Sequence, residues 1–274
     1  MELISVNDTR IACYHQTFSG TESSRKLPPI VLIHGYTGTT LHHFKYEIEN
    51  YSRIFQTNVL AFDHRGHGNS EAGAFETLGI DVHFQDLESI IEYFGYQEVI
   101  LIGASFGGVL ANRYAIKYPN KVKKLILIST TAESTPGMLN ALIEINKIII
   151  NFIAYDYNIR KLDPQSMRFL SVLLKIHSET KPYNKLKFFK HFITLFIERK
   201  FSLLEDIKNT ITCPVLILHG DIDYVELENA KKMHSYFQDS KLIIIPQYGH
   251  LPQRKNPLLV EKYVSEFLST NSSD

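Results

Sequence analysis

Val99-Ile100-Leu101-Ile102-Gly103-Ala104-Ser105-Phe106-Gly107-Gly108-Val109-Leu110-Ala111 decides the fold. An unbroken apolar run with valine and isoleucine suits a strand buried on both faces, and the residues after the glycines suit a helix packed back onto the sheet. The G-x-S-x-G between them has a steric reason. A strand that turns straight into a helix strains its corner residue, and Gly103 and Gly107 leave room for neighbouring chain. Ser105 then stands at a helix N-terminus, where backbone N–H groups such as that of Phe106 can receive a developing negative charge. A Gly/Ser-rich turn without chemistry has the same spelling, so the surrounding chain has to decide.

Outward from this stretch, strand-like and helix-like segments alternate. Residues 2–6 and 10–16 read as an opening hairpin with an Asn7-Asp8 turn. Ile30–Ile33 is a buried strand ending in His34-Gly35-Tyr36-Thr37-Gly38, and Leu41 to Ile54 is helical. Val59–Phe62 is a strand ending in Asp63-His64-Arg65-Gly66-His67-Gly68-Asn69-Ser70, a structural turn in which Asp63 and Arg65 are expected to pair. This loop lacks the glycine spacing of a phosphate cradle. Phe84, Leu87, Ile91 and Phe94 mark a helix closed by Gly95, and Val122 to Ile128 is a further strand. The expected fold is therefore α/β, a doubly wound, mostly parallel eight-stranded sheet with helices on both faces.

The alternation stops at residue 133 and resumes at Pro214–Leu218. Between them three helices are expected, at about 138–155, 165–178 and 184–200. The expected domains are a core of 1–132 and 207–274 and an inserted helical lid of 133–206. From Leu139 to Lys200 the chain has eleven basic and five acidic residues, so a basic lid is set on an acidic core. A solvated lysine face accounts for this surplus, and an anionic substrate or an acidic membrane surface would also use it. Phe152, Tyr155, Phe169, Leu173, Phe188, Phe189, Phe192 and Phe196 pack the lid or line an apolar pocket.

Composition bounds the function. Lys+Arg and Asp+Glu are 29 each in 274 residues, which gives no basic face for nucleic acid. Cys13 and Cys213 have no C-x-x-C spacing, so neither a zinc site nor a disulfide scaffold is expected, and a reducing, cytoplasmic setting fits. No secretory h-region is visible at the N-terminus. Leu139 to Ala154, interrupted by Glu144 and Lys147, is too short to span a bilayer and reads as a buried or half-buried helix.

Two more strands end in chemistry. The strand at 214–218 runs into His219-Gly220-Asp221-Ile222-Asp223, and Leu242–Ile245 is followed by Pro246-Gln247-Tyr248-Gly249-His250. Ser105, Asp223 and His250 thus follow one another in the chain order of one of the known serine triads, each just past a strand. At such strand ends open α/β sheets bind their ligands. Asp221 and Glu133 are the competing acids. A metal site around His64 and His67 has only weak support from two histidines on a glycine loop.

These residues resemble the α/β-hydrolase fold superfamily, in its lidded serine esterase-like branch, over almost the whole chain. The matching stretches are His34-Gly35-Tyr36, Asp63-x-Arg65-Gly66-x-Gly68-x-Ser70, Gly103-x-Ser105-x-Gly107-Gly108, Gly220-x-x-Asp223 and Gly249-His250. One departure follows the histidine, where Lys255-Asn256-Pro257 replaces a glutamate before proline that many relatives carry. The resemblance implies a catalytic triad of Ser105, Asp223 and His250, with an oxyanion hole from the Tyr36 and Phe106 backbone N–H groups. It implies a cofactor-free, metal-free serine hydrolase acting on a small or medium ester, thioester or lactone with an apolar portion. Carbon–carbon bond hydrolysis of diketone products, or ligand-binding signalling with little turnover, is the alternative within the same fold. Oligomeric state is not legible.

Overall fold

The computed structural model describes residues 1–20, 27–36, 38–73, 79–134, 201–223, 225 and 227–270. Its frame is one sheet built from β1 (Glu2–Val6), β2 (Thr9–Gln16), β3 (Ile30–Ile33), β4 (Val59–Phe62), β5 (Val99–Ala104), β6 (Val122–Ile128), β7 (Val215–Gly220) and β8 (Ser240–Ile245). The order across the sheet is β1-β2-β4-β3-β5-β6-β7-β8, antiparallel at β1/β2 and β2/β4 and parallel from β4 to β8. The hairpin turn closes with Asn7 in the left-handed region, φ 50°.

Alternation along each central strand feeds two cores. Val31, Ile33, Leu101 and Leu127 point into a core shared with α2 (Ile80–Tyr93), α3 (Phe106–Lys117), α4 (Leu204–Thr210) and α5 (Leu227–Tyr236). Ile30, Leu32, Ile100 and Ile126 point into the opposite core, with α1 (Thr40–Phe55) and α7 (Pro257–Ser269); the short α6 (Pro252–Lys255) precedes α7. Strands buried on both faces carry continuous apolar runs for this reason. Asn256, the departure from the family pattern, caps α7 by accepting the Leu259 N–H at 3.1 Å.

The topology makes the crevice. From β3 the chain crosses by α1 to β4 on one side, then by α2 to β5 on the other side of β3. Right-handed crossovers in opposite directions put the two helices on opposite faces and leave a gap at the carboxyl ends of β3 and β5.

The Asp63–Arg65 pairing expected from the sequence is not made. Arg65, fully buried, grips Asp86 of α2 with Nε at 2.6 Å and Nη2 at 2.7 Å and reaches Asp8 at 3.0 Å. Asp63 instead accepts the Thr40 and Asn69 N–H groups at 2.8 and 2.9 Å and the Tyr14 hydroxyl at 3.1 Å. The planar guanidinium matches a carboxylate that meets it edge-on, which the helix supplies and its own loop does not. Asp63 thereby ties the start of α1 to the loop after β4.

The lid expected at 133–206 lies almost wholly outside the described residues, as do the three helices expected there and the Leu139–Ala154 segment. The described residues on either side of that stretch, 132–134 and 201–203, meet. Glu133 bridges Ser202, the Ser134 N–H bonds the Phe201 carbonyl at 2.8 Å, and the Leu203 N–H bonds Ala132 at 2.8 Å.

One buried carboxyl stands out in α1. Glu47 is 2 % exposed and faces a cavity of ≈ 190 Å³ with Tyr46, Gln253 and Arg254, where burial pushes it up to about 8. The folded state therefore holds a proton that the unfolded chain releases above its ordinary carboxyl range. Stability from this group is complete at pH 4 and is lost as pH rises to about 8. Glu47→Gln should match the native protein near pH 5 and exceed it by a few kcal/mol at pH 8.5 in urea unfolding. A pH-independent difference between the two proteins would refute the assignment.

Candidate active site

Ser105 is the corner between β5 and α3, and its backbone is forced. Its φ is 53° and ψ −120°, a region that side chains rarely enter. Close packing holds it there. A Cβ on Gly107 would come within 2.0 Å of the Ile33 carbonyl oxygen, and one on Gly103 within 2.5 Å of the Gly107 oxygen. The Ser105 N–H bonds the Ile128 carbonyl at 2.9 Å, and its own carbonyl accepts the Thr130 hydroxyl at 2.6 Å and the Gly108 N–H at 2.9 Å. The corner is thus tied to β3 and β6 on either side.

The loop after β3 lies against the serine. A Cβ on Gly35 would meet the Ser105 Cβ at 3.0 Å, so only glycine brings the chain this close. Tyr36, next in this loop, has its ring 5.4 Å from that of Phe106 in an edge-on arrangement, and both residues are buried. Phe106 is the first residue of α3, so its N–H belongs to the exposed donors of a helix start.

Asp223 and His250 meet directly. His250 Nδ1 donates to the Asp223 carboxylate, at 2.9 Å to Oδ1 and 3.1 Å to Oδ2, with both side chains almost wholly buried. Oδ1 also accepts the Val225 N–H at 3.0 Å. Burial works to raise the Asp223 pKa. The charge and hydrogen bond of His250, helped by His219 and Ser129, outweigh it and hold the carboxyl below its ordinary range. A bond from Nδ1 to a carboxylate puts the lone pair of the neutral imidazole on Nε2.

The competing acids are elsewhere. Asp221 is exposed, and Glu133 is paired with Lys232 at 2.6 Å. His64 and His67 spend Nε2 on the His34 and Tyr36 carbonyls, at 2.8 and 2.6 Å. Among the described residues no group of three His, Cys, Asp or Glu is placed to hold a metal ion. No helix of the described residues is long and apolar enough to cross a membrane.

Sequence reasoning missed one feature of this edge. His34, His43, His64, His67 and His83 are all buried around Tyr36 and Phe106. Their separations in the chain follow no helical or strand period, and no spacing signal would have gathered them.

Comparison with known proteins agrees with the fold. A family model described as the α/β hydrolase fold matches residues 28–152. A provisionally named 2-succinyl-6-hydroxy-2,4-cyclohexadiene-1-carboxylate synthase of Bacillus subtilis is 28 % identical over 88 % of the chain and 90 % of its own length. Epoxide hydrolase 3 of Xenopus tropicalis is 23 % identical over 93 % of the chain and 74 % of its own. Among solved structures, the α/β hydrolase MGS-M2 from a Medee basin deep-sea metagenome library superposes with a TM-score of 0.78. It is 20 % identical and covers 100 % of this chain and 99 % of its own.

Gly107→Ala is the sharpest test of the corner. A methyl group cannot share space with the Ile33 carbonyl, so the variant should lose about 3 kcal/mol in chemical denaturation. Gly79→Ala, where nothing lies near the added Cβ, should cost far less. Equal losses at the two positions would contradict the packing described.

Proposed function

Because the chain belongs to the α/β-hydrolase fold superfamily, we propose that it is a serine hydrolase using Ser105, Asp223 and His250 as its triad. Its substrate is a small or medium ester, thioester or lactone with an apolar portion. The observation that carries the reading is the pairing of a strained serine corner with a buried Asp223–His250 hydrogen bond on one sheet edge.

The chemistry follows from the residue types. A serine hydroxyl is a weak nucleophile, so His250 Nε2 takes its proton as Oγ attacks the substrate carbonyl. Asp223, kept ionised by its surroundings, holds the imidazole tautomer and stabilises the cation that forms. The oxyanion of the tetrahedral intermediate is received by the Tyr36 and Phe106 N–H groups, each worth about 3 kcal/mol in comparable sites. His250 returns the proton to the leaving group, and a water activated the same way hydrolyses the acyl-enzyme.

In this reading residues 133–206 form the lid that sets specificity, and the core is 1–132 with 207–274. The meeting of Glu133 and Ser202 supports a segment that leaves and re-enters the core at one point. Two free cysteines suit a reducing compartment, so cytoplasmic action is part of the proposal. Burial pushes both thiols up to about 12, which leaves them poor nucleophiles.

Ser105→Ala should abolish hydrolysis of short p-nitrophenyl esters and labelling by a fluorophosphonate while the melting temperature stays within a few degrees. Asp223→Asn should lower kcat by about 10⁴-fold by leaving the imidazole in the wrong tautomer. Undiminished turnover in the alanine variant would sink the proposal. Turnover of a vinylogous diketone far above that of every ester would redirect it to carbon–carbon bond cleavage, and ligand binding without turnover would redirect it to signalling.

A further inference from the structure

The loop His34-Gly35-Tyr36 is held peptide by peptide by imidazoles. In the first peptide, the His34 carbonyl accepts His64 Nε2–H at 2.8 Å and the Gly35 N–H donates to His43 Nδ1 at 2.9 Å. In the second, the Gly35 carbonyl accepts His34 Nδ1–H at 2.7 Å and the Gly38 N–H at 3.3 Å. In the third, the Tyr36 carbonyl accepts His67 Nε2–H at 2.6 Å. The tautomer of His34 is fixed as well, because its Nε2 accepts the His64 backbone N–H at 2.9 Å.

The second peptide carries the Tyr36 N–H. In a trans peptide the N–H points opposite to the C=O, so whatever fixes the Gly35 carbonyl aims this donor. Gly35 is glycine because Ser105 and His43 crowd the place of a side chain, and glycine leaves the backbone free to rotate. The peptide before it therefore has to be pinned from outside. His43 does this from α1, and its attachment is firm. The Thr39 hydroxyl caps the first turn at 3.2 Å, the Thr40 N–H is held by Asp63 at 2.8 Å, and the helix breaks at Phe44 directly after the histidine.

His43 makes a poor structural filler. It is 2 % exposed, and its Nε2 has no hydrogen-bond partner among the described residues. A buried polar atom left so is costly, and a phenylalanine would fill the space without that cost. What an imidazole adds is an acceptor at Nδ1.

We infer that His43 is a positioning residue of the oxyanion hole, acting on the Tyr36 N–H through the Gly35 N–H···Nδ1 hydrogen bond and not by touching substrate. The inference rests on the serine-hydrolase reading for its consequence in catalysis. Its structural half, an imidazole with the proton on Nε2 and an acceptor at Nδ1, stands apart from that reading. Burial, with the neighbouring His42, His250, Arg254 and His64, keeps the ring neutral and so keeps that acceptor.

Three substitutions separate positioning from packing. In His43→Asn the amide oxygen falls near the place of Nδ1, in His43→Gln it falls near Nε2, and His43→Leu removes it. The Gln and Leu variants should lose about 10²-fold in kcat with KM within about threefold, as expected when one oxyanion donor is misaimed. Their affinity for a trifluoromethyl ketone, whose adduct mimics the oxyanion, should fall by a similar factor. The Asn variant should recover both to within about tenfold of the native protein. Equal behaviour of Asn and Gln, or ketone affinity unchanged in the Leu variant, overturns the inference.

A measurement on the native protein covers the case in which the variants do not fold. With ¹⁵N-labelled histidine, His43 should show an unprotonated, hydrogen-bonded Nδ1 and a protonated Nε2. A proton on Nδ1 overturns the inference. Loss of the function reading by an active Ser105→Ala variant would leave this spectrum as expected, so the two failures are distinguishable.

Discussion

A serine at φ 53° is the constraint around which the molecule is arranged. An L-residue takes that conformation only where its surroundings over-determine it, and here they come from the two strands that flank β5 and the residue just beyond one of them. The Ile33 carbonyl of β3 presses on Gly107, the Ile128 carbonyl of β6 holds the Ser105 N–H, and Thr130 beyond β6 holds its carbonyl. The strain is held by the sheet, and the sheet in turn is held by apolar strands packed on both faces.

Polar groups on this edge divide into two systems with different electrostatics. Asp223 and His250 form a pair in which burial and charge oppose each other and charge wins, so the carboxylate is kept ionised. Around Tyr36, burial wins instead. His34, His43, His64 and His67 are all pushed down from their ordinary range by loss of solvent before any other cause, and they act as neutral hydrogen-bonding groups. One histidine of the edge thus bonds a carboxylate, and four others serve as rigid backbone partners. The distinction follows from a carboxylate beside one ring and uncharged backbone carbonyl or N–H groups beside the others.

The loop after β4 joins these systems to the fold. Asp63 binds the start of α1, which carries His43, and Arg65 binds α2 through Asp86. Opposite charge and proximity in sequence do not pair these two neighbours with each other. Backbone N–H groups satisfy one carboxylate, and a helix presents a better-shaped partner to the guanidinium.

The sequence by itself determined what is local and periodic. Apolar runs gave the strands from β3 to β6 nearly to the residue, and G-x-S-x-G gave the corner, because a steric demand inside five residues is spelled by those residues. It also named Asp223 and His250, since strand ends in an open α/β sheet fall on one edge whatever the loops do. The tertiary structure alone decided the rest: that Arg65 turns to Asp86, that Glu47 is sealed as a protonated acid, and that four imidazoles close on the His34–Tyr36 loop. Each of these depends on contacts between segments without a shared period, and on burial, which converts the same histidine or glutamate from a solvated charge into a neutral hydrogen-bonding group.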